Sequence, residues 1–282
     1  MSAMSQCFAD LPSRALVQVG GPDWRGFLQG LISNDVEQLS SGRMRFAALL
    51  TPQGRLLFDM FVLGQQDGCL LDVQAATREA LIQRLQIYRL RAKVEIATDD
   101  RRVSALWSDP PEAVDRGAAA AGWIADPRLP TLGFRGVGAE PPQGADTVDE
   151  DRYDAFRLSL GAPDPARDCV ADKTYPIEAD FDLLNGIDFN KGCYVGQETT
   201  SRMKRRAGVR SRMLPITFQG EAPAFGAEVM AGTLRAGEVL SGRTGQAMAL
   251  LRLDRIQDVE LTADGRPVTV RHPPWVTSPQ TR

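Results

Sequence analysis

Apolar residues along the first ninety positions change period several times, and each change marks an element. Between Gly21 and Asn34, the residues Trp24, Phe27, Leu28 and Leu31 recur at i, i+3, i+4 and i+7, with Pro22 and Asp23 where a helix should begin. That spacing predicts an amphipathic helix. Ala15–Val19 alternates as a strand, and the runs at 45–50 and 55–63 bracket Thr51-Pro52-Gln53-Gly54, which reads as a hairpin turn. A second helix is predicted over 77–88, with Leu81, Leu85 and Tyr88 on one face, followed by short strands at 94–97 and 103–107.

From Asp109 to Gln143 the chain is rich in Pro, Gly and Ala, so loops and small strands are expected around 122–124 and 132–134. Helical spacing returns over 151–160 and ends at Gly161 and Pro163. A further helix is expected over 196–205. Beyond Arg212 short apolar runs at 214–218, 228–231, 237–241, 247–253 and 268–271 are separated by Gly, Pro and Asp, with an Asp264-Gly265 turn. This predicts a small β-barrel or sandwich.

The chain has 282 residues and is 43% apolar, enough for two or three ordinary cores. No apolar run approaches the roughly 20 residues needed to cross a bilayer, and the N-terminal stretch lacks the basic and apolar regions of a secretory signal. A soluble protein of the bacterial cytoplasm, without membrane contact, is the expectation. A net charge of −3 argues against a global attraction to nucleic acid. Cys7, Cys69, Cys169 and Cys193 form no CxxC pair, and His272 is the only histidine. Reduced thiols are therefore expected, with neither a metal site nor a Cys/His dyad.

The densest chemistry lies in Asn190–Arg206, NKGCYVGQETTSRMKRR. Cys193 is flanked by Lys191, Gly192 and Tyr194, which predicts a glycine-permitted bend beside a cation and raised thiolate character. The alternative is a small core cysteine. Between 202 and 212 the chain carries Arg202, Lys204, Arg205, Arg206, Arg210 and Arg212, readable as an anion site or as a solvated face. Asp59 alternates with Leu57 and Phe61 along a strand, so it either shares their face or sits at an edge. Asn34 and Asp35 have a helix-terminating reading, Glu178 a capping or salt-bridge reading, and Gln29 and Gln197 are ordinary surface amides unless they meet a ligand.

The string KGCYVGQE resembles the signature of the YgfZ family of folate-binding proteins, bacterial relatives of the mitochondrial factors that mature iron–sulfur proteins, and more distantly glycine-cleavage T-protein. The blocks WRGFLQGLISNDVEQL, TPQGRLLFDMFVL, YDAFRLSLGAPD and YPIEADFDLLNGIDFNKGCYVGQE occur in the family's order and extend the resemblance over most of Asp23–Met213. It implies an α+β fold: a GcvT/YgfZ-like platform of two α+β subdomains over residues 1–208, then a C-terminal β-barrel over 209–282.

The resemblance further implies tetrahydrofolate as cofactor, with Asp59 inheriting the place of the acid that contacts the folate nitrogen in T-protein. Asn34, Glu178, Lys191, Tyr194, Gln197 and Arg202 are the other candidate contacts. Cys193 is the candidate reactive group, acting on iron–sulfur clusters of client enzymes, among them radical-SAM enzymes, with an indirect effect on tRNA modification. Two departures from T-protein argue against aminomethyl transfer: its long N-terminal segment has no match, and Ser159 stands where its RLE element carries a pterin-contacting glutamate. Alternatives are a folate-dependent one-carbon transferase or demethylase, and a tRNA-binding module using the basic run, which lacks the interleaved aromatics that stack bases.

Overall fold

Across residues 5–112, 122–205 and 209–276, which the computed structural model describes, the chain first runs through β1 (Ser5–Asp10), β2 (Arg14–Gly20), α1 (Trp24–Gln29), β3 (Met44–Leu50), β4 (Leu56–Gly64), β5 (Gly68–Gln74) and α2 (Arg78–Arg89). Next come β6 (Glu95–Asp99), β7 (Val103–Asp109), β8 (Trp123–Ala125), β9 (Phe134–Val137), β10 (Asp146–Thr147), α3 (Glu150–Ser159), α4 (Pro165–Asp168) and α5 (Gln197–Arg205). The last strands are β11 (Ser211–Thr217), β12 (Glu228–Ala231), β13 (Leu234–Arg243), β14 (Gln246–Arg252), β15 (Leu261–Ala263) and β16 (Arg266–Val270).

Two compact units divide these elements. One holds the residues up to Gln53, Leu57–Tyr153 and Leu184–Gln197; the other holds Gly54–Leu56, Asp154–Leu183 and the chain from Glu198 on. In the first unit, two five-stranded sheets have the orders β3-β4-β5-β2-β6 and β10-β1-β7-β9-β8. Alternation along the strands decides which face is oily. Val17, Val19, Met60, Val62, Leu71 and Val73 pack with Trp24 and Leu28 of α1 and Leu81, Ile82 and Leu85 of α2 in one core. The intervening residues, including Asp59, Phe61 and Asp72, are also buried.

The second unit ends in a closed six-stranded barrel, β11-β14-β13-β12-β15-β16, filled by Leu214, Ile216, Val239, Ala249 and Leu251. Closure leaves no free sheet edge in it. The proposed domain border after residue 208 falls just ahead of β11.

Several elements differ from the spacing-based expectation, among them the short α4, β10 and β15 and the three that follow. The helix expected over 21–34 is only α1, because the chain beyond Gly30 leaves the helical path to form a bridge between Ile32 and Leu49, and Ser33 N donates to Ala48 O at 2.9 Å. Pairing with β3 outweighs the helical period. The strand β5 was unanticipated: its residues Cys69–Val73 are all buried, so the run GCLLDVQ shows no half-polar alternation. Likewise β1 completes its sheet beside β7 from a segment with no strong strand pattern.

Candidate functional site

Among the four cysteines, Cys193 is exposed, Cys169 is intermediate, and Cys7 and Cys69 are buried. Burial pushes the Cys69 thiol up to about 12 and raises that of Cys7, so neither is a nucleophile near neutral pH. The segment bearing Cys193 has no regular secondary structure, yet it is tied down on its N-terminal side by a dense set of bonds to the 29–36 loop.

The bonds are reciprocal. Ser33 Oγ donates to Gly186 O at 2.6 Å and accepts from Ala48 N, while Asp188 N donates to Ser33 O. Asn34 Nδ2 donates to Phe46 O and Asn185 O, both at 2.7 Å, and its Oδ1 accepts from Asp35 N. Asp188 Oδ1 accepts from the N–H groups of Asn190 and Lys191. Lys191 then closes the arrangement, its Nζ donating to Gln29 O, Ile32 O and Asn34 O at 2.9, 2.7 and 2.8 Å.

This geometry corrects two expectations. Lys191 does not serve as a cation for the thiol or for a ligand: all three ammonium protons are committed to backbone carbonyls, and the ammonium lies 5.2 Å from the Tyr194 ring centroid. Burial pulls its pKa down to about 8, against the pull of Asp35, Asp188 and Glu37, which leaves it charged at neutral pH. Nor does Gly192 make the bend; the left-handed residue is Gly196, at φ 81°, which turns the chain into α5. Asn34 is likewise a buried stitch between the two segments and does not terminate a helix, since α1 ends at Gln29. Tyr194 is buried, and Val195 packs against the first unit's core, so the exposed thiol sits next to a hydrophobic anchor.

Asp59 shares the face of Phe61, as alternation predicts, and lies on β4, which is not an edge strand. Its side chain is 1% exposed; Oδ2 accepts from Arg14 Nη1 at 2.9 Å and Oδ1 from Gln74 Nε2 at 2.7 Å. Arg14 also bonds Asp72, and Asp72 accepts from Arg135 of β9 at 2.5 Å, which joins the two sheets. Asp126 pairs with Arg128 at 2.8 Å. Around the Phe61 ring stand the guanidiniums of Arg135, Arg128 and Arg14, 3.9, 4.9 and 5.5 Å from its centroid. Three carboxylates thus balance three guanidiniums inside the unit. Arg14 and Arg135 hold the Asp72 carboxyl below its ordinary range despite burial. Asp59 is therefore a structural counter-ion.

In the second unit, Glu178 caps a turn, its Oε2 accepting from Tyr175 N, and burial raises its pKa. Ser159 Oγ donates to Phe156 O at 2.7 Å, so it offers no substitute for a glutamate. The basic run separates into unlike parts. Arg212 is buried and bonds Asp180 and Asp182, and Lys204 pairs with Asp182 at 3.1 Å. Arg202, Arg205 and Arg210 are exposed, and Arg206 lies outside the described residues. Gln197 opens α5, its N–H donating to Tyr194 O. Among the described residues no group of three or more His, Cys, Asp or Glu side chains is placed to hold a metal ion.

Ser33, Asn185 and Asp188 went unremarked in the sequence, as did the partners of Asp59. A signal existed for Asp72, an acid inside the apolar run GCLLDVQ. For Ser33 there is none, because Gly186 and Asp188, which it bonds besides Ala48, lie some 150 positions away.

Residues 210–278 match the family described as the CAF17 C-terminal beta-barrel domain. The mitochondrial iron-sulfur cluster assembly factor IBA57 homolog of Mycosarcoma maydis is 36% identical over 234 residues, covering 74% of this chain and 57% of its own length. That of Neurospora crassa is 35% identical over 243 residues, covering 77% and 55%. The chain thus spans little more than half the length of these two relatives. Mitochondrial IBA57 of Homo sapiens is 32% identical over 280 residues, covering 89% of this chain and 78% of its own. The crystal structure of the glycine cleavage system aminomethyltransferase T from Bartonella henselae superposes with a TM-score of 0.76 at 17% identity, over 96% of this chain and 86% of that one. This likeness shows the fold: a GcvT-like arrangement of mixed sheets with a C-terminal six-stranded barrel, as expected.

Two expectations are corrected by these relatives. Placement in the bacterial cytoplasm does not stand, since each IBA57 relative named above is a mitochondrial factor; a reduced, soluble composition is common to both compartments and discriminates neither. The resemblance to YgfZ pointed to a related family and not to the one that matches. With 32% identity to the human factor across nearly nine-tenths of its length, the chain belongs to the IBA57 family of iron–sulfur cluster assembly factors.

Proposed function

We propose that the chain assists the assembly or maintenance of iron–sulfur clusters in client enzymes through the thiol of Cys193. The observation that carries this reading is exposure combined with anchoring. Cys193 is the one exposed cysteine of the four, and the residues before it are bonded to a buried loop while those after it enter the core. A thiol so held is offered to a partner in a defined place at little entropic cost.

The cluster is cargo. On binding, the sulfhydryl releases its proton to solvent and the sulfur takes one coordination position on an iron of the passing cluster. The remaining ligands then come from the donor or the client, since among the described residues no group of three or more His, Cys, Asp or Glu side chains is placed to hold a metal ion. Clients of the radical-SAM type would link this activity indirectly to tRNA modification.

Tetrahydrofolate is the cofactor that the fold implies, and three of the residues expected to hold it, Asp59, Asn34 and Lys191, are engaged within the protein, while Glu178, Tyr194, Gln197 and Arg202 are not so committed to a single internal partner set. Asp59 is sealed against Arg14, Asn34 and Lys191 are spent on backbone groups, and Ser159 bonds its own helix. No step of the proposed chemistry passes through folate, which also weakens the one-carbon transferase reading. A phosphate track for tRNA loses Arg212 and Lys204 to internal carboxylates, so the basic run fits a solvated face better than a nucleic-acid site.

The test uses the purified protein and a Cys193→Ala variant. Brief alkylation of the native protein should label Cys193 ahead of Cys169, with Cys69 unlabelled until unfolding. The variant should melt within a degree or two of wild type yet fail to support cluster transfer from a loaded scaffold to an apo-client. Full transfer by the alanine variant would remove the proposal.

A further inference from the structure

Helix α2 buries Leu81, Ile82 and Leu85 in the first unit's core, and its opposite face ends in a feature that core packing does not use. Ile87 is 66% exposed and Leu90 87%, the two most exposed large aliphatics among the described residues. Arg84 stands one turn before Ile87, and Arg89, Arg91 and Lys93 follow, all exposed. From Arg84 to Lys93 there are four cations and no acid, in a chain whose net charge is −3. Among the described residues none of the four makes an ion pair. Of the acids close in sequence, Asp23 accepts from Lys93 N, Glu79 meets Arg78, and Glu95 on β6 forms no ion pair with any of the four.

The helix dipole accounts for a cation in the last turn, which Arg89 supplies. It does not account for Arg84 or for the two aliphatics. Leu90 adds a third observation. It terminates α2 with φ 45° and ψ −106°, a backbone conformation that suits glycine and strains a leucine. A strained backbone that pushes a large apolar side chain into solvent opposes folding twice over, and such a cost is found where a partner recovers it.

We propose that Ile87 and Leu90, ringed by Arg84, Arg89, Arg91 and Lys93, form a docking knob for an acidic protein segment that presents a small aliphatic pocket. Charge complementarity selects the partner: four uncompensated cations call for carboxylates around the pocket, and the knob supplies its apolar centre. A membrane surface fits less well, because the wide apolar face of α2 is already spent on the core and only two aliphatics remain to insert. Nucleic acid fits less well again, since Tyr88, the one aromatic here, packs against the core cluster and is not free to stack. The knob is independent of the Cys193 reading and stands or falls separately from it.

A displayed library of random 16-residue peptides, selected on the full chain and counter-selected on its Leu90→Gly variant, tests the proposal. Glycine suits the backbone at 90, so that variant should be at least as stable as wild type; a merely structural leucine would give the reverse. Enriched peptides should carry several acidic residues around two or three aliphatics. A synthetic copy of the best should bind Leu90→Gly and Arg84→Glu/Arg89→Glu at least tenfold more weakly, with affinity falling as salt rises from 50 to 300 mM. No enrichment, enrichment without acidic residues, or equal binding by either variant overturns the proposal. So does flotation with vesicles of three parts phosphatidylcholine to one of phosphatidylserine that depends on Leu90, or self-association in sedimentation that Leu90→Gly abolishes, since each names a different occupant.

Discussion

Replacing Asp59 by Asn separates a structural carboxylate from a ligand-binding one. In the wild type both oxygens accept hydrogen bonds, from Arg14 Nη1 and Gln74 Nε2, and the side chain is 1% exposed. Asparagine offers one acceptor and one donor, so its amide nitrogen must face either the guanidinium or the Gln74 amide, donor against donor. The cluster's charge count changes from three carboxylates against three guanidiniums to two against three. Breaking a buried pair from one side costs about 3 to 5 kcal/mol. Arg14 keeps Asp72 at 2.7 Å, which argues for the lower end, about 3 kcal/mol, or roughly 150-fold in the folding equilibrium. Urea unfolding followed by tryptophan fluorescence measures it, since Trp24, Trp107 and Trp123 belong to the first unit. The double variant Arg14→Met/Asp59→Leu restores balance, with Arg128 and Arg135 facing Asp72 and Asp126, and should recover at least half of the loss. If Asp59→Asn costs less than about 1 kcal/mol, or the double variant is worse than the single one, the counter-ion account fails. Weakened tetrahydrofolate binding in a calorimeter with unchanged stability would refute it from the other side, by restoring Asp59 as a ligand contact.

Two further outcomes follow from groups whose protonation the fold shifts. Lys191 has its pKa pulled down to about 8 from 10.5, so between these values the unfolded chain carries more protons and this group makes stability rise with pH; Lys191→Met should flatten that rise in denaturation curves at pH 8, 9 and 10, while speeding amide exchange at 190–195 at neutral pH. Asp180 shows the opposite sign. Burial raises its carboxyl to about 8 from 3.8 although Arg212 opposes the shift, and its Oδ2 is buried without a hydrogen-bond partner. The folded state then holds the extra proton, and stability is lost as pH climbs from about 4 to 8. Asp180→Asn should remove that decline, and an unchanged pH profile would show that the carboxyl is ionised throughout.

Local pattern was readable wherever one face of an element meets the core. Helices α2 and α3 and the barrel strands β12, β14 and β16 lie within a residue or two of the apolar spacing, because burial on one side leaves period 3.6 or 2 in the chain. It failed where both faces are buried, as in β5, and where a distant strand captured the chain, as Leu49 captures Ile32. Cys193 stands out by its glycine and lysine neighbours, and its exposure excludes the small core cysteine that was the alternative, but the same neighbours suggest the wrong work for Lys191. A lysine beside a cysteine reads as electrostatics. Only the fold reveals three carbonyls converging on its ammonium, since the hydrogen bonds join positions 157 to 162 apart. Asp59 illustrates the same limit, since its partners Arg14 and Gln74 come from two other strands.

The span of those bonds also has a consequence in time. The loop that receives Lys191 is made early, whereas Gly186, Asp188 and Lys191 leave the ribosome some 150 residues later, after every strand of both sheets in the first unit. At synthesis rates of about 5 to 20 residues per second, that interval is on the order of ten to thirty seconds. During it the 29–36 loop has its partners on β3 but not those at 185–191, and the segment bearing Cys193 does not yet exist. The segment bearing the exposed thiol is therefore among the last parts of its unit to be made, after every strand of the two sheets it is anchored beside.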